Sequence, residues 1–306
     1  MRVERVADIP KNMDNFVREI APEYLELFGP IAETEYRREI IERMDGASHH
    51  PSVRIYCAMV DNRAVGMLQW FSEDRVAHIT FLHVLAGHSH HDAEDALLGR
   101  ALTDIGDSGH TECVCDAILF GETDVRDAFH RAGFRRIPRA LLSRECSDAI
   151  EGKTSSGIVT PLSVTQRPLA ASLIVRVYAD HPDRALHRDL ADATRAQRFL
   201  DNVASGAYGA ADDATLIGIA DRGELVGVLV GCESPAGVGF ILQVAVDPAR
   251  QYQGYGRALI GHFARHCSRR GLDRLALGVT LGNPAERLYA RLGFRRIREV
   301  DVFVRP

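Results

Sequence analysis

Positive charge is in short supply. Lys11 and Lys153 are the only lysines, and 37 basic residues face 42 acidic ones, for a net charge of -5. That balance gives no basic stripe for a nucleic acid or an anionic membrane, so neither is expected as a partner. Apolar runs long enough to cross a bilayer are missing, as is a charged-then-apolar leader pattern, so the chain is expected to be cytoplasmic. The six cysteines, Cys57, Cys113, Cys115, Cys146, Cys232 and Cys267, include no C-x-x-C pair. A zinc site or a disulfide framework is therefore not expected, and the thiols read as buried and idle. Histidines do gather at His88, His90 and His91, with His49, His50, His78 and His83 nearby in sequence. A metal is one use for them. A polar loop is the preferred reading, and no metal is expected.

What the chain has is one unit written twice. Residues 133–137 and 293–297 both read GFRRI, and residues 64–71, AVGMLQWF, match 225–232, LVGVLVGC. Each of the latter follows a polar turn and an apolar strand (53–60 and 215–220), a hairpin pattern. Apolar runs at 76–85 and 238–246 come next, then helical patterns at 93–105 and 256–269. A strand (112–118, 274–280), a helix (124–131, 285–291) and the GF-initiated strand close each copy. A period this long is a duplicated domain, not a solenoid. Hairpins mixed with strand–helix–strand units predict two tandem α/β domains, each a mixed, mostly antiparallel sheet flanked by helices. The expected limits are 1–145 and 158–306, with 146–157 (CSDAIEGKTSSG) as the linker.

The chemistry is carried by residues 246–260, VDPARQYQGYGRALI. A strand ends at Val246, a Pro-containing turn follows, and Gly254 and Gly256 open an amphipathic helix. Glycine admits a ligand close to the backbone. The helix start offers unpaired N–H groups and the positive end of a dipole, which suits a phosphate or pyrophosphate. Arg250 and Arg257 flank it. A dinucleotide fold would need a third glycine where Leu259 stands, and a P-loop would need G-K-[ST].

V-x-P-x-x-[RQ]-x-x-G-x-[GA] after a strand resembles the acetyl-CoA signature of the GNAT N-acetyltransferases. Val246, Pro248, Gln251, Gly254 and Gly256 fill it, and Tyr252 stands where the family often has Gly. Downstream, Asn283-Pro-Ala-Glu-Arg-Leu-Tyr289 followed by Leu292-Gly293-Phe294 resembles a second family segment. The resemblance implies acetyl-CoA as acyl donor, held by Val244, Val246, Gln251, Tyr252, Gln253, Gly254, Tyr255, Gly256, Arg257, Asn283 and Tyr289. It implies that Asn283 holds the pantetheine arm and that Tyr289 protonates the departing thiolate. It further implies that the strand before the glycines splays from its neighbour, so that Val244 and Val246 pair with the pantetheine through main-chain atoms. The Val244 N–H is the candidate oxyanion donor. The base is not legible. The strand 238–246 carries Gln243 and no acid, which leaves Glu233, Asp183 and Asp189 as candidates.

The first copy keeps the frame and loses the site. Asp92 and Glu94 fall where Gly254 and Gly256 sit, Thr123 matches Asn283, and Phe129 matches Tyr289. Two carboxylates repel a phosphate, so this copy is expected to be inactive. It is expected to complete the acceptor pocket, form a dimer contact, or hold acetyl-CoA without turnover. The expectation is therefore an N-acetyltransferase acting on a small-molecule primary amine. The resemblance implies a biosynthetic or antibiotic-modifying role, as in the mycothiol synthases and bleomycin-type antibiotic acetyltransferases of the family. The alternatives are a protein or peptide N-acetyltransferase, and a non-catalytic acyl-CoA-binding scaffold.

Overall fold

A computed structural model of the chain describes residues 1–28, 32–73, 75–88, 91–115, 125–147, 150, 157–179, 181, 184, 186–187, 190–234 and 237–305. The first copy runs β1 (Arg2–Val6), α1 (Met13–Phe28), α2 (Glu33–Ser48), β2 (Val53–Val60), β3 (Arg63–Glu73), β4 (Val76–Val84), α3 (His91–Asp107), β5 (Glu112–Cys115), α4 (Val125–Arg131) and β6 (Arg135–Glu145). The second repeats this order: β7 (Ile158–Pro161), α5 (Arg167–Tyr178), α6 (Ala193–Ala204), β8 (Leu216–Asp221), β9 (Glu224–Glu233), β10 (Gly239–Val246), α7 (Tyr255–Arg269), β11 (Arg274–Thr280), α8 (Glu286–Arg291) and β12 (Arg295–Arg305).

The repeat extends to its turns. The β2–β3 hairpin turns at Asp61 (φ 46°) and Asn62 (φ 61°), and the β8–β9 hairpin at Arg222 (φ 52°) and Gly223 (φ 87°). Two consecutive left-handed residues give the turn whose twist matches that of the flanking strands.

Two compact units form, one from residues 1–138 with 300–306 and the other from residues 139–299. The final strands are thus exchanged. The first unit orders its strands β1-β2-β3-β4-β5-β12, and the second β6-β11-β10-β9-β8-β7. In each unit one pair is parallel, β4 with β5 and β10 with β11. The hairpin pairs are antiparallel, and so are the exchanged strands, with Phe303 opposite Cys115 and Leu142 opposite Leu277. A buried charge anchors each exchanged strand in its adoptive unit. Asp301 on β12 has an 8% exposed side chain and meets Arg136 at 2.6 Å and Arg126 at 2.7 Å. Arg144 on β6, 4% exposed, donates to the Leu292 carbonyl at 2.5 Å and lies over the Phe294 ring.

Strand alternation splits each core into two layers. In the first unit Tyr56 and Ala58 pack with Leu97, Leu98 and Phe129 from α3 and α4, while Ile55 and Cys57 pack with Phe16, Val17 and Tyr36 from α1 and α2. In the second, Ile217 and Ile219 meet Leu259 and Phe263 of α7, and Leu216 and Val228 meet Ile174 and Leu200 of α5 and α6. All six cysteines are buried and none is in a disulfide. Burial pushes the Cys57 and Cys113 thiols up to about 12, so they stay protonated and unreactive. Among the described residues no helix is long and apolar enough to cross a membrane.

Phe129 is fully buried, stacked on Phe303 at 4.3 Å and edge-on to Phe134 at 4.9 Å. A hydroxyl added there enters an apolar core. Phe129→Tyr is expected to lower stability by about 1–3 kcal/mol, the cost of a buried unpaired polar group. Urea unfolding of the two proteins checks this, and an unchanged midpoint would contradict the packing described.

Candidate functional site

The second unit opens its sheet where the glycine segment begins. Parallel pairing of β10 with β11 runs only from Gly239 opposite Leu275 to Ile241 opposite Leu277. Beyond it β10 stays paired with β9 alone, through a register shift between Ile241 and Gln243. The Asp247 N–H donates to the Val226 carbonyl at 2.9 Å. Hydrogen-bonding direction alternates along an antiparallel pair. The polar backbone groups of Val244 and Val246 therefore face away from β9, towards the gap. Consistent with this, the Gln251 side-chain amide reaches the Val246 carbonyl at 3.4 Å.

The turn after β10 is held by Asp247. Its carboxylate accepts from the Ala249 N–H at 2.9 Å and from Arg176 at 2.8 Å. The Arg176 hydrogen bond, then the backbone one, hold this carboxyl below the usual carboxylate range. Tyr252 follows in a left-handed conformation (φ 63°), 99% exposed. Gly254, at φ 89° and ψ 0°, caps α7 and turns the chain into the helix. A Cβ on Gly256 would lie in ordinary van der Waals contact with Leu288 at 3.4 Å and Val246 at 3.8 Å. An exposed strand edge and a helix start together suit an extended ligand that carries an anionic group.

The remaining predicted residues divide. Asn283, Tyr289 and Val244 line one pocket in the gap, together with Gln243 and Gly278. Asn283 is oriented by its own turn, its side-chain oxygen accepting from the Ala285 N–H at 2.9 Å, and its amide lies 3.4 Å from His181 Nε2. Tyr289 is set by α8 and stands edge-on to Phe294 at 5.8 Å. Gln251 and Gln253 are exposed on the glycine loop, the latter's amide 3.4 Å from the Ala249 carbonyl. Tyr255 points its ring into the core, 4% exposed, so only its backbone belongs to the helix start. Arg250 turns towards Asp221 (3.7 Å) and Glu224 (3.8 Å) rather than towards the helix start. Arg257 is half-buried on the first turn of α7.

Glu233 does not line this pocket. Its carboxylate lies 3.2 Å from Arg270, at the far end of α7, because β9 carries residue 233 past the gap to a position opposite Gly239. Asp183 and Asp189 lie outside the described residues, as do Thr123 and His90. Among the described residues no group of three metal-ligating side chains is assembled. Among the described histidines, His83 lies on Glu19 at 2.9 Å, His78 is stacked on Phe71, and His50 meets Ser52.

Three pocket residues with polar side chains were not singled out from the sequence: Arg139, Tyr178 and His187. Tyr178 holds His187 edge-on at 5.4 Å and His181 at 4.8 Å. No local pattern marks them, since they come from β6, the end of α5 and the segment after it.

The family model described as Acetyltransferase (GNAT) family matches residues 177–294. The mycothiol acetyltransferase of Thermobispora bispora is 35% identical over 135 residues, 44% of this chain and 44% of that relative, so less than half of the relative's length is spanned. Among solved structures, a GCN5-related N-acetyltransferase from Sphaerobacter thermophilus superposes with a TM-score of 0.73 at 15% identity, over 99% of this chain and 95% of that one. A tandem GNAT protein from the clavulanic acid biosynthesis pathway gives 0.60 at 12% identity, over 99% and 98%. At such identities the likeness is one of fold.

Proposed function

We propose, from the match of residues 177–294 to the acetyltransferase (GNAT) family, that the chain is an acetyl-CoA-dependent N-acetyltransferase for a small-molecule primary amine. The observation that carries the reading is the gap between β10 and β11. It has the glycine-capped helix start at one end and Asn283, Val244 and Tyr289 on its walls.

In this reading the pantetheine arm adds to the free edge of β10 at Val244 and Val246, with Asn283 as a further contact, and the pyrophosphate lies on the N–H groups at the start of α7. The neutral amine attacks the thioester carbonyl directly. The Val244 N–H stabilises the negative oxygen as the C–N bond forms. The C–S bond then breaks, and Tyr289 gives its proton to the leaving sulfur. The relative named for mycothiol favours a small acceptor over a peptide.

The first unit carries no turnover in this reading, since Phe129 offers a ring and no hydroxyl, and Asp92 and Glu94 lie in the first turn of α3. The test is calorimetric titration with acetyl-CoA, followed by thiol release against a panel of primary amines. Binding and amine-dependent thiol release are expected. Absence of acetyl-CoA binding would sink the reading. Binding without turnover on any amine would favour a scaffold.

A further inference from the structure

The acceptor end of the pocket is built from hydrogen-bond donors that lack an acceptor. Arg139 reaches it from β6, a strand that belongs to the first copy by sequence and to the second unit by structure. Its guanidinium lies across β11 and donates to the Gly278 carbonyl at 2.9 Å. A Cβ at Gly278 would stand 3.3 Å from one guanidinium nitrogen and 3.5 Å from its central carbon, so glycine lets the guanidinium lie flat on the strand without shifting. Arg139 Nε is shut off from water and has no partner, and among the described residues no carboxylate pairs with this arginine.

A second orphan faces the same pocket. Gln243, 5% exposed, sits just past the β10 register shift, and its Nε2 is buried without a partner. A donor buried in this way is costly unless something completes it. None of the described residues lining the pocket is acidic. Two unpaired donors, one of them a fixed cation with planar geometry, match the two oxygens of a carboxylate.

We propose that Arg139 and Gln243 form an acceptor subsite for a carboxylate, so that the amine acetylated here belongs to a small molecule that also carries a carboxylate. This rests on the acyl-transfer reading above. It also gives the exchange of final strands a consequence, because the strand that follows the inactive copy supplies a specificity determinant of the active one.

The test uses product-like probes that need no turnover. N-acetylglycine and N-acetylalanine are compared with their primary amides by saturation-transfer NMR on the full chain in the presence of CoA. The wild type is expected to bind the acids at least tenfold more tightly than the amides. Arg139→Met is expected to bring that ratio within twofold, and Arg139→Lys to leave an intermediate ratio. Gln243→Leu should weaken the acids at least threefold and leave the amides within twofold. Equal binding of acids and amides by the wild type overturns the proposal, as does no binding of either, or a wild-type ratio in Arg139→Met. Calorimetric titration with CoA alone reads the cofactor premise separately. No CoA binding removes the acyl-transfer reading, whereas CoA binding without acid preference removes only the subsite.

Discussion

Tyr289→Phe is expected to lower kcat by about 10²–10⁴-fold, the usual range for removing a positioned proton donor. The dissociation constant for CoA should stay within twofold. The substitution separates the two things this residue supplies. Its ring packs edge-on against Phe294 at 5.8 Å, and phenylalanine keeps that contact, so α8 has no reason to move. Only the hydroxyl is lost. A departing thiol has a reference pKa of about 8.5 and a tyrosine about 10, so a tyrosine is protonated at neutral pH and able to give a proton. Thiol release under saturating acetyl-CoA measures kcat, and a value within threefold of wild type would remove Tyr289 from the mechanism. Adding Phe129→Tyr to this variant is expected to restore nothing. Position 129 lies in the core of the other compact unit, stacked on Phe303, and that copy has no glycine loop. Acetyl transfer by the double variant would overturn the division of roles between the copies.

Gly254→Val should weaken CoA binding at least tenfold. Gly254 caps α7 at φ 89° and ψ 0°, a left-handed conformation that costs an ordinary L-residue about 1–2 kcal/mol and a β-branched one more. The chain relieves that cost by rotating the cap, which turns the first N–H groups of α7 away from the gap. A tenfold change in affinity corresponds to about 1.4 kcal/mol, so the backbone strain alone is large enough. Calorimetry with CoA is the measurement, with the unfolding midpoint as a control. A folded variant that binds CoA within twofold of wild type would show that this helix start does not hold the pyrophosphate.

Much of the fold is readable from local pattern. The strands at 53–60 and 274–280 occur at those limits, since alternation and β-branched content act within the segment itself. The helix read at 256–269 begins one residue earlier, at Tyr255. The glycine segment was legible because a left-handed cap leaves few residue choices, and Tyr289 because it follows Ala285 by one turn of helix. Glu233 was misleading. Its position at a strand end follows from sequence, but its direction is set by Arg270, thirty-odd residues on and ion-paired to it at 3.2 Å. Arg139, Tyr178 and His187 were not legible, because nothing next to them in the chain marks them and the pocket that joins them is built from separate elements.

By itself the sequence determined that one αβ unit is written twice, which copy keeps the glycine loop and the tyrosine hydroxyl, and the order of the elements. These depend on side-chain period, turn chemistry and residue identity, all local. Tertiary structure alone decided which sheet each final strand joins. Both strands begin GFRRI and both are apolar enough to sit in either sheet, so local preference does not separate them. What differs is the position of the buried charge, Arg144 on β6 and Asp301 on β12, each satisfied in the unit that holds it. Leaving such a charge unpaired costs about 3–5 kcal/mol, a term that exists only once distant partners have met. The same distant pairing carries Arg139 across Gly278 to the wall of the pocket.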